Sequence, residues 1–382
     1  TPGLQQIWTQ TVGNKTVTNT VEIRTGRFIT ASYTVAGKAA GNLTLSGNVL
    51  LNQNTGNDFW CQTPLTLSGT VSGGNLNGLR MAAGTVILQG NNTFTNHLIS
   101  NYAPNTPTIN INSDAAMGHT NNGVRALVGN LIFQAAAGTS ITLAPSRTFV
   151  MSAGKTNTFD VPATSTLTVP GLISGHAIAK SGAGKLVLPS ANTHSGGTFL
   201  VGGILNITTN AAFGADAAGL NFTGSATLQA GATNLALPAS RSIYLTNAGT
   251  YTATFDAPTN FTMSVAGAVK GNLLTNSALS KTGAGTLILT GGSGGTPLAG
   301  MYTAGGKLSL QDGVWHVAPL LQADGAGFHV SGGATYEQTG GTNYLPVYSH
   351  ICNYPSGSTL TSTGVLSGGV LSGMELMVGR RS

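Results

Sequence analysis

The stretch Ser181-Gly-Ala-Gly-Lys-Leu-Val-Leu-Pro-Ser-Ala-Asn192 decides how this chain must be read, because it occurs three times. It stands upstream as Met81-Ala-Ala-Gly-Thr-Val-Ile-Leu-Gln-Gly-Asn-Asn92 and downstream as Thr282-Gly-Ala-Gly-Thr-Leu-Ile-Leu-Thr-Gly-Gly-Ser293, so the period is about one hundred residues. Each copy follows an equivalent stretch: Leu65-Thr-Leu-Ser-Gly-Thr-Val-Ser-Gly73, Leu167-Thr-Val-Pro-Gly-Leu-Ile-Ser-Gly175 and Met263-Ser-Val-Ala-Gly-Ala-Val-Lys-Gly271. Further upstream, Ser146-Arg-Thr-Phe-Val150 corresponds to Ser240-Arg-Ser-Ile-Tyr244, and Asn157-Thr-Phe-Asp-Val-Pro162 to Ala253-Thr-Phe-Asp-Ala-Pro258. A unit of this length holds several strands.

The runs inside the repeats alternate apolar residues with Thr or Ser over four to six positions and stop at Gly, Asn or Pro. Thr286-Leu-Ile-Leu-Thr290, Ile141-Thr-Leu143 and Lys307-Leu-Ser-Leu310 are examples. That period of two is the mark of half-buried strands, and no window offers a capped apolar stripe of helical period. Composition agrees: only 7% of the 382 residues are charged, 55 are Gly, and glutamate is confined to Glu22, Glu337 and Glu375, which excludes a coiled coil or helical bundle. With 41% apolar residues the chain is not disordered either. Kindred units following one another favour a stack of coils over a sandwich or barrel, since each new copy then meets the environment of the last. Strands stacked about 4.8 Å apart would set like charges rung on rung, which Thr, Asn and Ser ladders avoid. Glycine suits corners that need a positive φ. At ~22 residues and ~4.8 Å per coil, such a chain would build a rod on the order of 80 Å long.

The fullest copy, Lys180-Ser-Gly-Ala-Gly-Lys-Leu-Val-Leu-Pro-Ser-Ala-Asn-Thr-His-Ser-Gly-Gly-Thr-Phe-Leu-Val-Gly-Gly-Ile-Leu-Asn-Ile207, resembles the autotransporter-associated β-strand repeat, whose pattern runs K-x-G-x-G-x-L-x-L-x-x-x-N-x-Y-x-G-G-T-x-x-x-x-G-x-L. His194 stands where the pattern has an aromatic residue. The copy from Lys281 to Leu310 keeps Gly294-Gly295-Thr296, and the copy at Arg80 keeps Gly84, Leu88 and Asn91-Asn92 before departing at Phe94-Thr-Asn-His97. The resemblance spans roughly residues 60 to 345. It implies an all-β, right-handed parallel β-solenoid (β-helix) of ~100-residue super-repeats, secreted by a bacterium and displayed at its surface, often adhesive or structural. The expected division is a non-repeat N-terminal strand, cap or assembly segment over residues 1–40, solenoid repeats over 41–345 with copies ending near 120, 216 and 313, and a C-terminal cap or assembly segment over 346–382. No membrane barrel follows the last repeat, so the chain resembles a passenger-like segment or a free secreted protein.

The formal charge of +6 arises from 16 Lys and Arg against 10 Asp and Glu, scattered singly apart from Arg380-Arg381. Nucleic-acid binding asks for a basic stripe or cluster, so no nucleic-acid partner is expected. No apolar run approaches the ~18 residues of a membrane span, and the start at Thr1 points to a targeting segment already removed or to a piece of something longer. Solenoids also carry polysaccharide-cleaving enzymes, which need two carboxyl groups about 5 to 10 Å apart. The ten carboxylates here, Glu22, Asp58, Asp114, Asp160, Asp216, Asp256, Asp312, Asp324, Glu337 and Glu375, are all separated in sequence. Asp160 and Asp256 recur at equivalent places, as do Asp216 and Asp312, which reads as structural recurrence. His97, His119, His176, His194, His316, His329 and His350 show no metal-ligand spacing and read as surface or turn residues. No catalytic, cofactor or metal site is expected, and no cofactor.

Two cysteines, Cys61 and Cys352, lie 291 positions apart, on the order of 60 Å along such a rod and far beyond the Cα separation a disulfide allows, which argues against an internal bridge; one near each end could link successive subunits, the alternative being two buried free thiols. The ends are also where a solenoid exposes open strand edges, and here they carry little charge. The expectation is therefore a non-enzymatic structural protein of an extracellular bacterial fibre or surface layer, with copies of itself as head-to-tail partners. The alternatives are an adhesin passenger contacting glycans or a host surface protein, and a solenoid carbohydrate-active enzyme.

Overall fold

The structure, a computed structural model, describes residues 6–10, 14–23, 27–32, 41–51, 57–74, 78–100, 104–246, 251–271, 277–317, 326–345, 348–351, 360–373 and 375–378. It is all-β, a parallel β-solenoid, interrupted among the described residues by three single-turn 3₁₀ helices at Asp114–Met117, Asn210–Phe213 and Asp216–Ala218. The chain divides into two compact units, Thr1–Val187 with Asn192–Gly196 and Leu188–Ala191 with Gly197–Ser382.

In the first unit the alternation seen in the sequence becomes two inward columns. Leu43, Leu65, Val86, Ile109, Phe133 and Phe159 lie in register on successive rungs, and beside them run Leu45, Leu67, Leu88, Ile111 and Ala135. All are buried. Phe133, Phe149 and Phe159 meet with ring centroids 5.1 to 6.2 Å apart. Each such side chain contributes about 1.5–3 kcal/mol by leaving water, so the columns are the main source of stability. The second unit repeats the device with Leu235, Met263, Leu287, Leu308 and Tyr336 in one column and Leu237, Val265, Leu289, Leu310 and Gln338 in the next.

Coil length is not fixed. Leu79 pairs with Leu98, 19 residues on, whereas Leu310 pairs with Gln338, 28 residues on. The corners absorb the difference while the rungs stay aligned. At one corner successive backbones approach so closely that only glycine fits: a Cβ on Gly69 would lie 2.2 Å from the carbonyl oxygen of Gly47, and one on Gly90 2.2 Å from that of Gly69. The largest accommodation lies in the strand Phe149–Asp160, which pairs with Ile173–Ser181 in two registers. Between Met151, opposite Gly175, and Thr156, opposite Ala177, Ser152, Ala153, Gly154 and Lys155 face the single residue His176. Ala153 to Lys155 stand out exposed, and the Ser152 hydroxyl anchors the base by donating to the Gly129 carbonyl at 2.7 Å.

The described parts of the terminal segments are strands stacked on the coils of their own units. Gln6–Gln10, Lys15–Val17 and Val21–Ile23 pair in parallel with Arg27–Ser32, Leu43–Leu45 and Val49–Leu51. Thr363–Leu366, Val370–Ser372 and Glu375–Val378 pair likewise with Thr335–Gln338, Thr342–Tyr344 and Tyr348–Ile351.

Candidate functional site

Chemistry-bearing side chains gather at the corners and along two outward ladders. In the first unit Arg147, 1% exposed, sends Nε and Nη2 to the two Asp114 carboxylate oxygens at 3.0 Å each, and its remaining donors to the carbonyls of Asp114, Gly118, His119 and Asn122. The guanidinium thus ties the 3₁₀ turn Asp114–Met117 to the next coil. Burial pushes the Asp114 carboxyl up, but the hydrogen bonds and charge of Arg147 outweigh it and hold the group below its ordinary range. In the second unit Arg241, fully buried, plays the same part. It donates to Asn210 Oδ1 at 2.5 Å, Asp216 Oδ1 at 2.7 Å and the carbonyl of Gly214 at 2.8 Å, and stacks over Phe213. Asn210 and Ser240 join Arg241 in holding Asp216 low.

The lysine that opens the repeat is not at the surface. Lys180 follows Phe159 in an inward column and Lys281 follows Phe255. Each ammonium folds back onto the turn it begins: Lys180 Nζ donates to the carbonyls of Ser181 and Gly182 at 2.5 and 2.7 Å, and Lys281 Nζ to those of Thr282, Gly283 and Gly305 at 2.5, 2.8 and 3.2 Å. Gly182 and Gly283 take φ of 72° and 75°, and a Cβ at either would meet the carbonyl of the coil before, at 2.2 and 2.3 Å. That backbone presents the carbonyls to the ammonium. Burial lowers both lysines to about 8, against the pull of Asp160 and Asp256. The first copy is built otherwise: Arg80 pairs with Asp58 at 2.8 Å, and Ala82 stands where the others have the left-handed glycine.

Asp160 and Asp256 end two matching ladders. Asn110 Nδ2 donates to Gln134 Oε1 at 2.7 Å, Gln134 Nε2 to Asp160 Oδ2 at 2.6 Å, and Ser181 Oγ to Asp160 Oδ1 at 2.8 Å. In the second unit Asn206, Gln229, Asp256 and Thr282 repeat the sequence of donors at 3.0, 2.7 and 3.1 Å. The recurrence of Asp160 and Asp256 read from sequence is thus a recurrence of surroundings. That of Asp216 and Asp312 is not: Asp216 accepts from Arg241, whereas Asp312 accepts the N–H of Gly313, and the residue that matches Asp216 in role is Asp114. Glu337 takes Lys307 at 2.7 Å. None of these contacts joins two carboxyl groups. Asp324 and the side chain of Glu375 lie outside the described residues.

Histidines divide by place. His194 is wholly buried and His350 nearly so, contrary to a surface or turn location. His329 meets His350 one rung on at 5.0 Å, and His316 stacks on Tyr344 at 4.7 Å with planes 12° apart. Among the described residues no group of three or more His, Cys, Asp or Glu could hold a metal ion, and no helix is long and apolar enough to cross a membrane. Cys61 is buried at the end of the strand Asn57–Cys61, and Cys352 lies outside the described residues.

Sequence reasoning treated the scattered cations as charge and missed four of them as interior fasteners. The signal was present: Ser146-Arg147 and Ser240-Arg241 recur, as do Lys180 and Lys281. Three stretches, residues 83–98, 178–207 and 279–300, match the model of the passenger-associated-transport-repeat family. Comparison with curated proteins and with solved structures gives no significant match. Repeat and solenoid together fit an autotransporter passenger domain.

Proposed function

We propose that this chain is a non-enzymatic structural protein of an extracellular bacterial fibre or surface layer, exported as a passenger, whose product is the stacked solenoid itself. The observation that carries the reading is where the reactive side chains are spent. Arg147, Arg241, Lys180 and Lys281 sit inside, binding corner carbonyls, and Asp114, Asp160, Asp216 and Asp256 are committed to cations, amides and hydroxyls that join one coil to the next. An enzyme of this architecture needs two carboxyl groups facing a sugar across about 5 to 10 Å, and these carboxylates each face a coil-joining partner instead. The reading includes growth by stacking of solenoid ends, with copies of the chain as partners.

Electron microscopy of the purified protein tests it. Filaments are expected, and discrete short particles at high concentration would refute assembly. A polysaccharide cleavage screen addresses the enzymatic alternative, where reproducible turnover would overturn the structural assignment. The adhesin reading draws on the outward aromatic pair His316 and Tyr344, the latter 44% exposed, beside Val314 and Val370. A glycan array read against Tyr344→Ala decides it.

A further inference from the structure

Asn96 and His97 turn a corner of the first unit with φ of 68° and 74°, two of the four left-handed non-glycine residues among those described. Backbone of that kind persists where its surroundings over-determine it, and it clusters at functional positions. Here it aims two polar groups of His97 at one dipeptide of the next coil, Asn122-Gly123. The imidazole Nδ1 accepts the Gly123 N–H at 2.9 Å, and the His97 backbone N–H donates to Asn122 Oδ1 at 3.3 Å. We propose that Asn122-Gly123 is a self-modification site, at which the Gly123 nitrogen closes on the Asn122 side chain to form a succinimide with His97 as general base.

Ring closure needs a nucleophile relieved of its proton, an electrophile held in place and a leaving group. Gly123 supplies the nucleophile. Its N–H already bonds to a base, since an Nδ1 that accepts carries the ring proton on Nε2. Burial, with Arg125 nearby, lowers the imidazole's pKa, so the ring is neutral and able to accept at neutral pH. A Cβ at Gly123 would lie 2.1 Å from the Thr148 carbonyl oxygen, so only glycine fits, and no side chain shields its nitrogen. The Leu98 N–H, bonded to the Gly123 carbonyl at 2.9 Å, anchors the other end of the glycine. Asn122 is held as firmly. It is 2% exposed, and its Nδ2 donates to the carbonyls of Phe94 and Met117 at 2.7 and 3.0 Å, which settles which end of the amide is nitrogen. Charge that builds on Oδ1 as the nitrogen attacks Cγ therefore falls beside the His97 N–H.

In the step the bond from Gly123 N to Asn122 Cγ forms and the bond from Cγ to Nδ2 breaks. The glycine proton passes to His97 Nδ1 and leaves with Nδ2 as ammonia. Water then opens the ring to aspartate or isoaspartate. Closure needs no outside reagent at the buried amide, because both reacting groups are already fixed in one corner. The change runs one way: a carboxylate oxygen replaces the Nδ2 that faced the carbonyls of Phe94 and Met117, and the corner loses both bonds. None of this depends on whether the chain assembles.

A corner merely sealed by these hydrogen bonds would protect Asn122 instead, and time separates the two. The folded protein is held at about pH 8, where imidazole is neutral, and the peptide containing Asn122-Gly123 is followed by mass spectrometry beside the same chain unfolded in guanidinium. A form lighter by one ammonia, then aspartate and isoaspartate, should appear faster in the folded protein than in the unfolded chain. His97→Gln can still accept the Gly123 N–H through its amide oxygen but takes up no proton; with the circular dichroism of the parent, it should be modified at least about tenfold more slowly. An Asn122 that reacts no faster in the folded protein than in the unfolded chain would overturn the proposal without any variant. So would a folded His97→Gln variant that reacts as fast as the parent.

Discussion

Raising the pH should stabilise both units before it harms them, and the reason is the pair of interior lysines. In the unfolded chain a lysine holds its proton to about 10.5, but burial brings Lys180 and Lys281 to about 8 in the fold. Because each folded value lies below the unfolded one, the unfolded chain binds more protons between them, and stability climbs with pH across that window. Moving from about pH 7 to about pH 9.5 removes most of the cost of the buried charge, roughly 2 kcal/mol for each lysine at about 1.4 kcal/mol per pH unit. Lys180 belongs to the first unit and Lys281 to the second, so each unit should gain separately. Tyr302 and Tyr336 are raised by burial, so their effect, a loss of stability as the unfolded phenol ionises, begins only near pH 10. Urea unfolding followed by circular dichroism at stepped pH gives the slope. Lys281→Met should flatten it for the second unit while leaving the first unchanged. A parent slope that is level or negative between pH 7.5 and 9.5, or a variant that keeps the rise, would show that the carbonyls around the ammonium hold its proton against burial, and the reasoning would fail.

His97 works in the opposite window. Its Nδ1 accepts the N–H of Gly123 at 2.9 Å, and burial, with Arg125 nearby, lowers its pKa, so the first unit should lose stability as pH falls below about 6.5, a dependence absent in His97→Gln. Gly283→Ala places a methyl 2.3 Å from the Ala257 carbonyl at a φ of 75° and should cost more than about 2 kcal/mol, measured by urea midpoint. Arg241→Met leaves Asp216, Asn210 and the Gly214 carbonyl without their donor; a loss of about 3 kcal/mol or more is expected, against under about 1 kcal/mol for Lys307→Met, whose exposed pair with Glu337 is screened. Gln229→Leu interrupts the ladder between Asn206 and Asp256 and should cost about 1 kcal/mol by the same assay.

The solenoid was legible because its cause is local. Leu43, Leu45, Leu65 and Leu67 alternate with Thr and Ser, and a two-residue period can place them only on one face of a strand. Copies of one stretch then imply copies of one environment. The interior cations were not legible, since lysine and arginine rarely lie fully buried, and what compensates them here is a set of backbone carbonyls at corners. Carbonyls leave no trace in a residue pattern. The supposed equivalence of Asp216 and Asp312 failed for a related reason: matching spacing sets the rung, but the arginine that gives Asp216 its role arrives from a neighbouring coil. A uniform coil of ~22 residues missed the spread between 19 and 31, the latter from Phe28 to Phe59, because corners, unlike rungs, need satisfy no register.

The bulge opposite His176 shows how little the stack asks of a residue that leaves it. Rungs on either side of Ala153-Gly154-Lys155 remain paired with the neighbouring coil although three residues there contribute nothing to the ladder. A foreign peptide grafted between Ser152 and Thr156 would therefore inherit two fixed anchor points and an outward stance, which makes this site a ready place to carry a tag, an epitope or a fluorophore without altering the scaffold beneath.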